Sequence, residues 1–379
     1  MKNYFIILLM VVVQLNSCQD TKYKDMNLEE KAKTQEEILN RPSNIWPTNK
    51  DQNGDYYYSV NMGTMEGYVA TDASSHFVTD KEIVSIPAMM LGQNWGEGTG
   101  SYVLIDEHHP LPKKLYVAWF SSSENKFYEG LFEMPYDKIK EEFDKMWTVY
   151  APYAIQTVAA KYERFTDIIV GVAPKGNVVV WLSGGLQSIE IGRYKAKETT
   201  KITWKDFAEM NGMGEGATRE NYLRNITEST SPLVGKLEQY EQIYTWKPKI
   251  ESKNPVEVVL YEIQMYNGEK EQIYYEYKGS NSTEKRAVPK YIAFSGQSKP
   301  SFYYIEYTFK EDDIYKAFEA LGKEDLPINL VLVLDKKNEP DIIILKNSKY
   351  EYVLDPKTTK FYPSDGKDYE PKMQSIKEN

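Results

Sequence analysis

The chain has 379 residues, 41% hydrophobic and 27% charged, which is long enough for one large or two ordinary globular domains. Its net charge of −10 argues against a nucleic-acid binder, which needs a basic stripe to displace counterions, and against broad adhesion to anionic lipid. A single cysteine excludes an intramolecular disulfide.

The chain opens on a leader. Lys2 supplies a positive start, and Tyr4 to Val13 form an apolar core of about ten residues, too short to span a hydrocarbon layer ~30 Å thick. Leu15, Asn16, Ser17 and Cys18 follow; a small residue before a cysteine here resembles a bacterial lipoprotein signal, with Asn16 its unusual member. Cys18 is then the expected lipid attachment site, the acyl chains are the membrane contact, and the expected location is the cell envelope, at the outer membrane. Residues 1–17 are read as signal peptide and 18–50 as a tether. A helix from Asn27 to Leu39, stopped by Pro42, is the alternative for this stretch.

Strand signals dominate from residue 51. The 31 tyrosines and the valine runs favour half-buried pleated surfaces. Strands are predicted over 56–61, 83–89, 101–105, 115–121, 127–133, 168–173, 178–182 and 188–194. Pro174-Lys175-Gly176 and Gly184-Gly185 punctuate them. Ile139, Phe143, Met146 and Trp147 recur on one face of a helix predicted over 138–147, with a second helix over 152–162. Helices are predicted over 204–210, 218–226 and 232–244. Strands resume over 256–266 and 272–277 around Asn267-Gly268, a strong hairpin signal. The division is a first unit at 51–202, a helical connector at 203–250, a second unit at 251–365 and a tail at 366–379.

The two units resemble each other. At an offset of 175, Tyr116, Ala118, Phe127, Tyr128, Asp137, Ile139 and Phe143 meet identical residues, and 8 of 28 positions agree from 116 to 143. At an offset of 161, Val170, Val172, Lys175 and Asn177 meet Val331, Val333, Lys336 and Asn338. The second unit does not keep Trp119, Glu124, Gly130 or Pro135, and Gly184, Gly185 and Arg193 have no evident counterparts. A specific function is therefore expected in the first unit, with the second a degenerate copy.

Residues 110–197 resemble a bacterial lipoprotein family known only as domain of unknown function 2931. The resemblance is carried by Pro110-Leu111-Pro112, Leu115 to Trp119, Glu124 to Phe132, Val170 to Pro174, Val180 to Gly185 and Glu190 to Ala196. It implies an envelope lipoprotein and no established activity. Some small lipoproteins of this general kind act as immunity proteins beside secreted toxins, a loose link.

No cofactor motif is present. The adjacent His108 and His109 project to opposite faces if extended, which suits a polar loop better than a metal site, and His76 lies in a polar loop. No serine occupies a Gly-x-Ser-x-Gly elbow. The glycine-rich stretches 92–100 and 212–216 lack the Gly-Lys-Ser/Thr ending of a phosphate loop and read as turns. Trp95, in the first of them, reads as packing against the sheet first and as stacking on a sugar or a partner second. A glycosidase needs two carboxylates ~5–10 Å apart, a pairing that Glu124, Glu129 and Glu133 do not reveal in sequence. The aromatics of the 115–133 hairpin read as cross-strand core pairs first and a glycan groove second.

The expected fold is α+β, antiparallel sheets with helices packed on one face, in two related halves. The expected function is a non-enzymatic, lipid-anchored envelope protein that binds a protein partner, an immunity-type lipoprotein being one version. A glycan-binding lipoprotein and an envelope hydrolase without a recognisable motif are the alternatives. The candidate binding surface is Trp95, Trp119, Glu124, Tyr128, Trp181 and Arg193.

Overall fold

The computed structural model describes residues 50–364, except 87–90, 93–94, 98–107, 146, 150–160, 185–186, 226–234, 255, 275–282 and 299–300. Cys18, the tether, the tail, the strand expected at 101–105 and most of the helix expected at 152–162 lie outside the described residues.

In the first half the strands are β1 (Ser59–Thr64), β2 (Ala70–Asp72), β3 (His76–Val78), β4 (Ile83–Ser85), β5 (Lys114–Ser121) and β6 (Lys126–Glu133). Helix α1 (Tyr136–Phe143) is followed by β7 (Asp167–Ala173), β8 (Asn177–Gly184), β9 (Gln187–Lys195) and β10 (Lys197–Thr199). Three short helices follow: α2 (Trp204–Met210), α3 (Arg219–Asn225) and α4 (Lys236–Tyr240). The second half has β11 (Ile243–Ser252), β12 (Glu257–Met265), β13 (Lys270–Tyr274), β14 (Glu284–Ala287), β15 (Pro289–Ser298), β16 (Ser301–Thr308) and α5 (Glu311–Gly322). It ends with β17 (Ile328–Leu334), β18 (Pro340–Lys346), β19 (Glu351–Leu354) and β20 (Thr358–Ser364).

The same order of pairing occurs in each half. β7 lies parallel to β1, with Asp167 opposite Ser59, and β17 lies parallel to β11, with Ile328 opposite Trp246. Each of these later strands continues antiparallel into two more, β8 and β9 or β18 and β19. The hairpin β5–β6 carries β2 and β3 on one side and β10 on the other, as β15–β16 carries β12 and β20. The hairpins start at Lys114 and Pro289 and the late strands at Asp167 and Ile328, the same offsets at which the sequences agree.

The helices repeat their packing too. Phe143 of α1 meets Tyr58, just before β1, at 5.8 Å between ring centroids, and Phe318 of α5 meets Trp246 on β11 at the same 5.8 Å. One apolar residue per turn thus pins each helix to the strand that opens its copy.

The halves share one nine-stranded sheet, ordered β1-β7-β8-β9-β13-β12-β15-β16-β20. The first half completes a six-stranded sheet of β10-β6-β5-β3-β4 with β2 on β5; the second completes β14-β11-β17-β18-β19. Two-residue strands at Tyr56–Tyr57 and His108–His109 pair separately, as do Trp147–Val149 and Lys161–Glu163. Both halves belong to one compact unit; residues 148–149 and 161–162 are the described part of the other.

The protein is therefore mostly β, 51% strand and 16% helix, and not the α+β arrangement expected. The helices are few and short and form no layer over a sheet. One source of the difference is 243–250, which the sequence reading assigned to a helical connector. These residues alternate across β11 and pair with β14 and β17. Pro248 is tolerated there because the β14 ladder ends at Trp246, so its missing N–H faces an unpaired stretch of strand. Among the described residues, no helix is long and apolar enough to cross a membrane.

At the end of β2, Asp72 is fully buried. Its carboxylate accepts the N–H groups of Ser74 (3.0 Å) and Ser75 (3.1 Å) and so turns the chain from β2 into β3, with Ser74 at a φ of 79°. Burial pushes the carboxyl up to about 6, against the hydrogen bonds from Ser75, Ser74 and Ala73 that favour its charge. The raised value means that protonation stabilises the fold below the ordinary 3.8 and that this contribution is lost as pH rises through about 6. Two pH units are worth about 3 kcal/mol. From about pH 4 to about pH 7, urea denaturation should shift the stability difference between wild type and Asp72→Asn by up to that amount in the variant's favour. A pH-independent difference would contradict this.

Candidate interaction surface

The six residues expected to form a binding surface fall into three separate places. Trp119 on β5 and Tyr128 on β6 are directly opposite each other and stack at 5.0 Å. Trp119 is fully buried and Tyr128 nearly so. The Trp119 indole N–H donates to Tyr68 Oη (3.1 Å), which donates to Glu124 Oε2 (3.0 Å). Tyr128 Oη donates to Glu124 Oε1 at 3.2 Å. The Lys175 N–H donates to both carboxylate oxygens, at 3.0 and 3.2 Å. Glu124 therefore ties the β5–β6 turn to the β7–β8 turn, where Lys175 holds a left-handed φ of 62°. This is a clamp between two turns, made from groups whose hydrogen bonds are already engaged with one another.

Trp95 and Trp181 form the second place. They meet edge to face at 4.9 Å, and both rings are buried. Gly171 makes the room, since a Cβ there would sit 2.5 Å from the Trp181 ring and 2.8 Å from that of Trp95. In the second half Leu332 and Leu345 take the corresponding places, so a glycine–tryptophan pair is traded for two leucines. The Trp95 loop also touches the second half. A Cβ on Gly96 would fall 2.3 Å from Gly268 Cα, a backbone-to-backbone approach only glycine permits. Glu97 bonds Lys270 at 3.1 Å and Lys290 at 3.4 Å. Burial opposes the charge on Glu97, yet Lys290 and Lys270 hold its carboxyl below the usual range.

Arg193 on β9 is the third. It forms a two-pronged pair with Glu190, both contacts at 2.5 Å, and a further ion pair with Glu241. The Glu190 carboxyl is raised by burial and by neighbouring Glu269 and Glu241 against the pull of Arg193. The Glu190 N–H donates to Glu269 Oε1 at 3.1 Å, so this cluster also sits where the halves meet.

Of the six residues the four aromatics are buried, while Glu124 is half-buried and Arg193 exposed. Trp95, Trp119, Tyr128 and Trp181 present no face to solvent on which a sugar could stack, and they hold the fold and its internal junction together. The glycine beside Trp95, Gly96, allows a close backbone approach. The histidines are likewise engaged: His109 Nδ1 lies 2.7 Å from a Glu82 carboxylate oxygen, and His76 Nδ1 lies 3.0 Å from the Ser74 carbonyl. Among the described residues, no group of three or more His, Cys, Asp or Glu side chains is placed to hold a metal ion.

A different region carries exposed apolar side chains. Tyr350 (53% exposed), Tyr352 (43%) and Val353 (67%) lie along or beside β19, and Ile342 on the adjoining β18 is exposed as well. Among the described residues, β19 pairs only with β18 and ends its sheet. Successive residues of a strand point to opposite faces, so Val353 lies on the outward face with Ile342, while Tyr352 lies on the face of buried Leu345 and Leu354 and is only half covered. Sequence reasoning passed over this region because it weighted the first copy. The signal available was Tyr350-Glu351-Tyr352-Val353, three apolar residues in four that no alternation directs toward a core.

The chain belongs to the family described as Protein of unknown function (DUF2931), whose model matches residues 42–234, half of the chain. The match covers the first copy with α2 and α3; the second copy lies beyond it. No curated protein and no solved structure matches the chain.

The contact between Gly96 and Gly268 yields a test. Gly212 has the same left-handed φ but nothing within 4 Å of an added Cβ. Gly96→Ala should cost at least about 2 kcal/mol, combining overpacking with backbone strain. Gly212→Ala should cost about 1 kcal/mol, the strain alone. Urea midpoints measure both; equal losses would show that the close approach contributes nothing.

Proposed function

We propose that this protein is a lipid-anchored cell-envelope protein that works by binding another protein and catalyses no reaction. The observation that carries the binding half of the reading is the uncovered apolar edge of Tyr350, Tyr352 and Val353 with Ile342 beside it. Protein interfaces are built around such aromatic and aliphatic anchors at a sheet edge that can extend by strand addition. The burial of Trp95, Trp119 and Trp181 removes the stacking platform that a glycan-binding reading needs. The anchoring half rests on the leader and Cys18. Several acyl chains at one terminus hold a protein of either charge sign, which suits a chain of net charge −10 that gains little from anionic lipid. An immunity-type role, neutralising a secreted toxin in the envelope, is one form this binding takes.

Two measurements test the reading. A fatty-acid probe should label the wild type and not Cys18→Ser; equal labelling refutes the anchor. Capture from envelope extracts should recover a protein in stoichiometric amount with the wild type. Val353→Lys should reduce that recovery at least about tenfold, the loss of about 1.4 kcal/mol. Recovery of sugars alone, or of the same protein with the variant, refutes the binding edge.

A further inference from the structure

The junction between the copies shows what an edge of this kind accepts. The outer side of β9 is taken by β13, with Ser188 opposite Lys270. The turn before β13 lies against Trp181, and Glu269 receives the Glu190 N–H. In the repeated topology the strand equivalent to β9 is β19, and the strand equivalent to β13 is β4. Both end their sheets, with no further strand beside them among the described residues.

The equivalence holds residue by residue. Ser188 stands opposite Ser183 on β8. The matching step of the second copy joins the Asn347 N–H to the Tyr350 carbonyl at 3.0 Å, so Tyr350 stands where Ser188 stands. Ser188, under β13, is 1% exposed, and Tyr350 is 53% exposed. On the other side, Lys270 pairs with Gln264, which pairs with Tyr291, while Ser85 pairs with His76, which pairs with Tyr116. Tyr116 and Tyr291 are the matched tyrosines of the two hairpins, so Ser85 stands where Lys270 stands. Ile83, two residues nearer the turn, is 62% exposed.

We propose that the β19 edge binds the β4 edge of a second copy of this chain, repeating between molecules the β9–β13 junction found within each one. This rests on the partner-binding reading above and names the partner. Apolar side chains meet apolar side chains, with Ile83 facing the strip of Tyr350, Tyr352 and Val353. The edges are lightly guarded: Ile83-Val84-Ser85 has no charge or proline, and Glu351-Tyr352-Val353-Leu354 has a single charge, Glu351. The two edges differ, so the contact is head-to-tail and an assembly keeps one free edge of each kind, one at each end. The ladder is short, and no covalent link raises the effective concentration as it does inside the chain, so association is weak and concentration-dependent.

Sedimentation velocity of the purified full chain tests this with Ile83→Lys, Val353→Lys and an equal mixture of the two. Both positions are exposed, so the fold tolerates lysine. The wild type should show a mean mass that rises with concentration. Each variant alone should remain monomeric over the same series. Their mixture should form dimers and nothing larger, because each variant contributes the edge the other lacks. A wild type that stays monomeric throughout overturns the proposal. So does association that survives Ile83→Lys, which would mean that β19 pairs with itself or with another part of the chain. If the wild type is monomeric yet loses an envelope partner on Val353→Lys, the second copy fails as occupant and the binding edge stands.

Discussion

The joining of the two halves into one sheet is built around one backbone contact, the approach of Gly268 to Gly96 beside the Trp181 ring. Two copies of a strand-rich unit can share a sheet only if the turn of one lies flat against the loop of the other. A single Cβ on Gly96 would force that turn to shift. The ladder across the junction is one residue pair long, too little to hold two halves alone. The rest comes from what surrounds it: two indoles at right angles, Glu97 between two lysines, and the Arg193–Glu190–Glu241 cluster, each drawn to the seam. The oppositely charged groups are partly buried there, where they are screened less than at the surface.

The seam also explains how the copies diverged. The first copy spends glycine and tryptophan where the second has leucines, because only the first must receive another unit's turn at that place. The apolar frame is kept wherever a copy packs on itself, as with Phe143 and Phe318 against their opening strands. The clamp built on Glu124 belongs to the first copy alone, since Lys299 stands at the matching position.

Hairpins and the repeat were legible because their signals are local. The strands expected over 115–121 and 127–133 occupy 114–121 and 126–133, and the helix expected over 204–210 occupies those residues. What could not be read was non-local. β11 pairs in parallel with β17 about eighty residues later, and its lysines and Pro248 give no hint of that partner. Exposure was hidden for the same reason. Trp95 is buried against Trp181, a residue far along the chain that its glycine neighbours do not announce. Tyr352 and Val353 resemble any strand residues, and only the lack of a neighbouring strand in the described fold leaves them open. The family resemblance at 110–197 was visible through turn and strand motifs, and membership extends it to 42–234.

The parallel pairing that opens each copy has a bearing on how the chain acquires its structure as it is made. Ser59 and Asp167 are 108 positions apart, so β1 has no ladder until nearly the whole first unit exists. Long loop closures of this kind slow folding by deferring the contacts that compensate the entropy of ordering. The shared sheet adds a second delay, because β9 receives its outer neighbour only when residues near 270 appear. The local hairpin β5–β6 needs neither closure, so the pairings that depend on distant residues are the parallel one that opens each copy and the one that joins the copies.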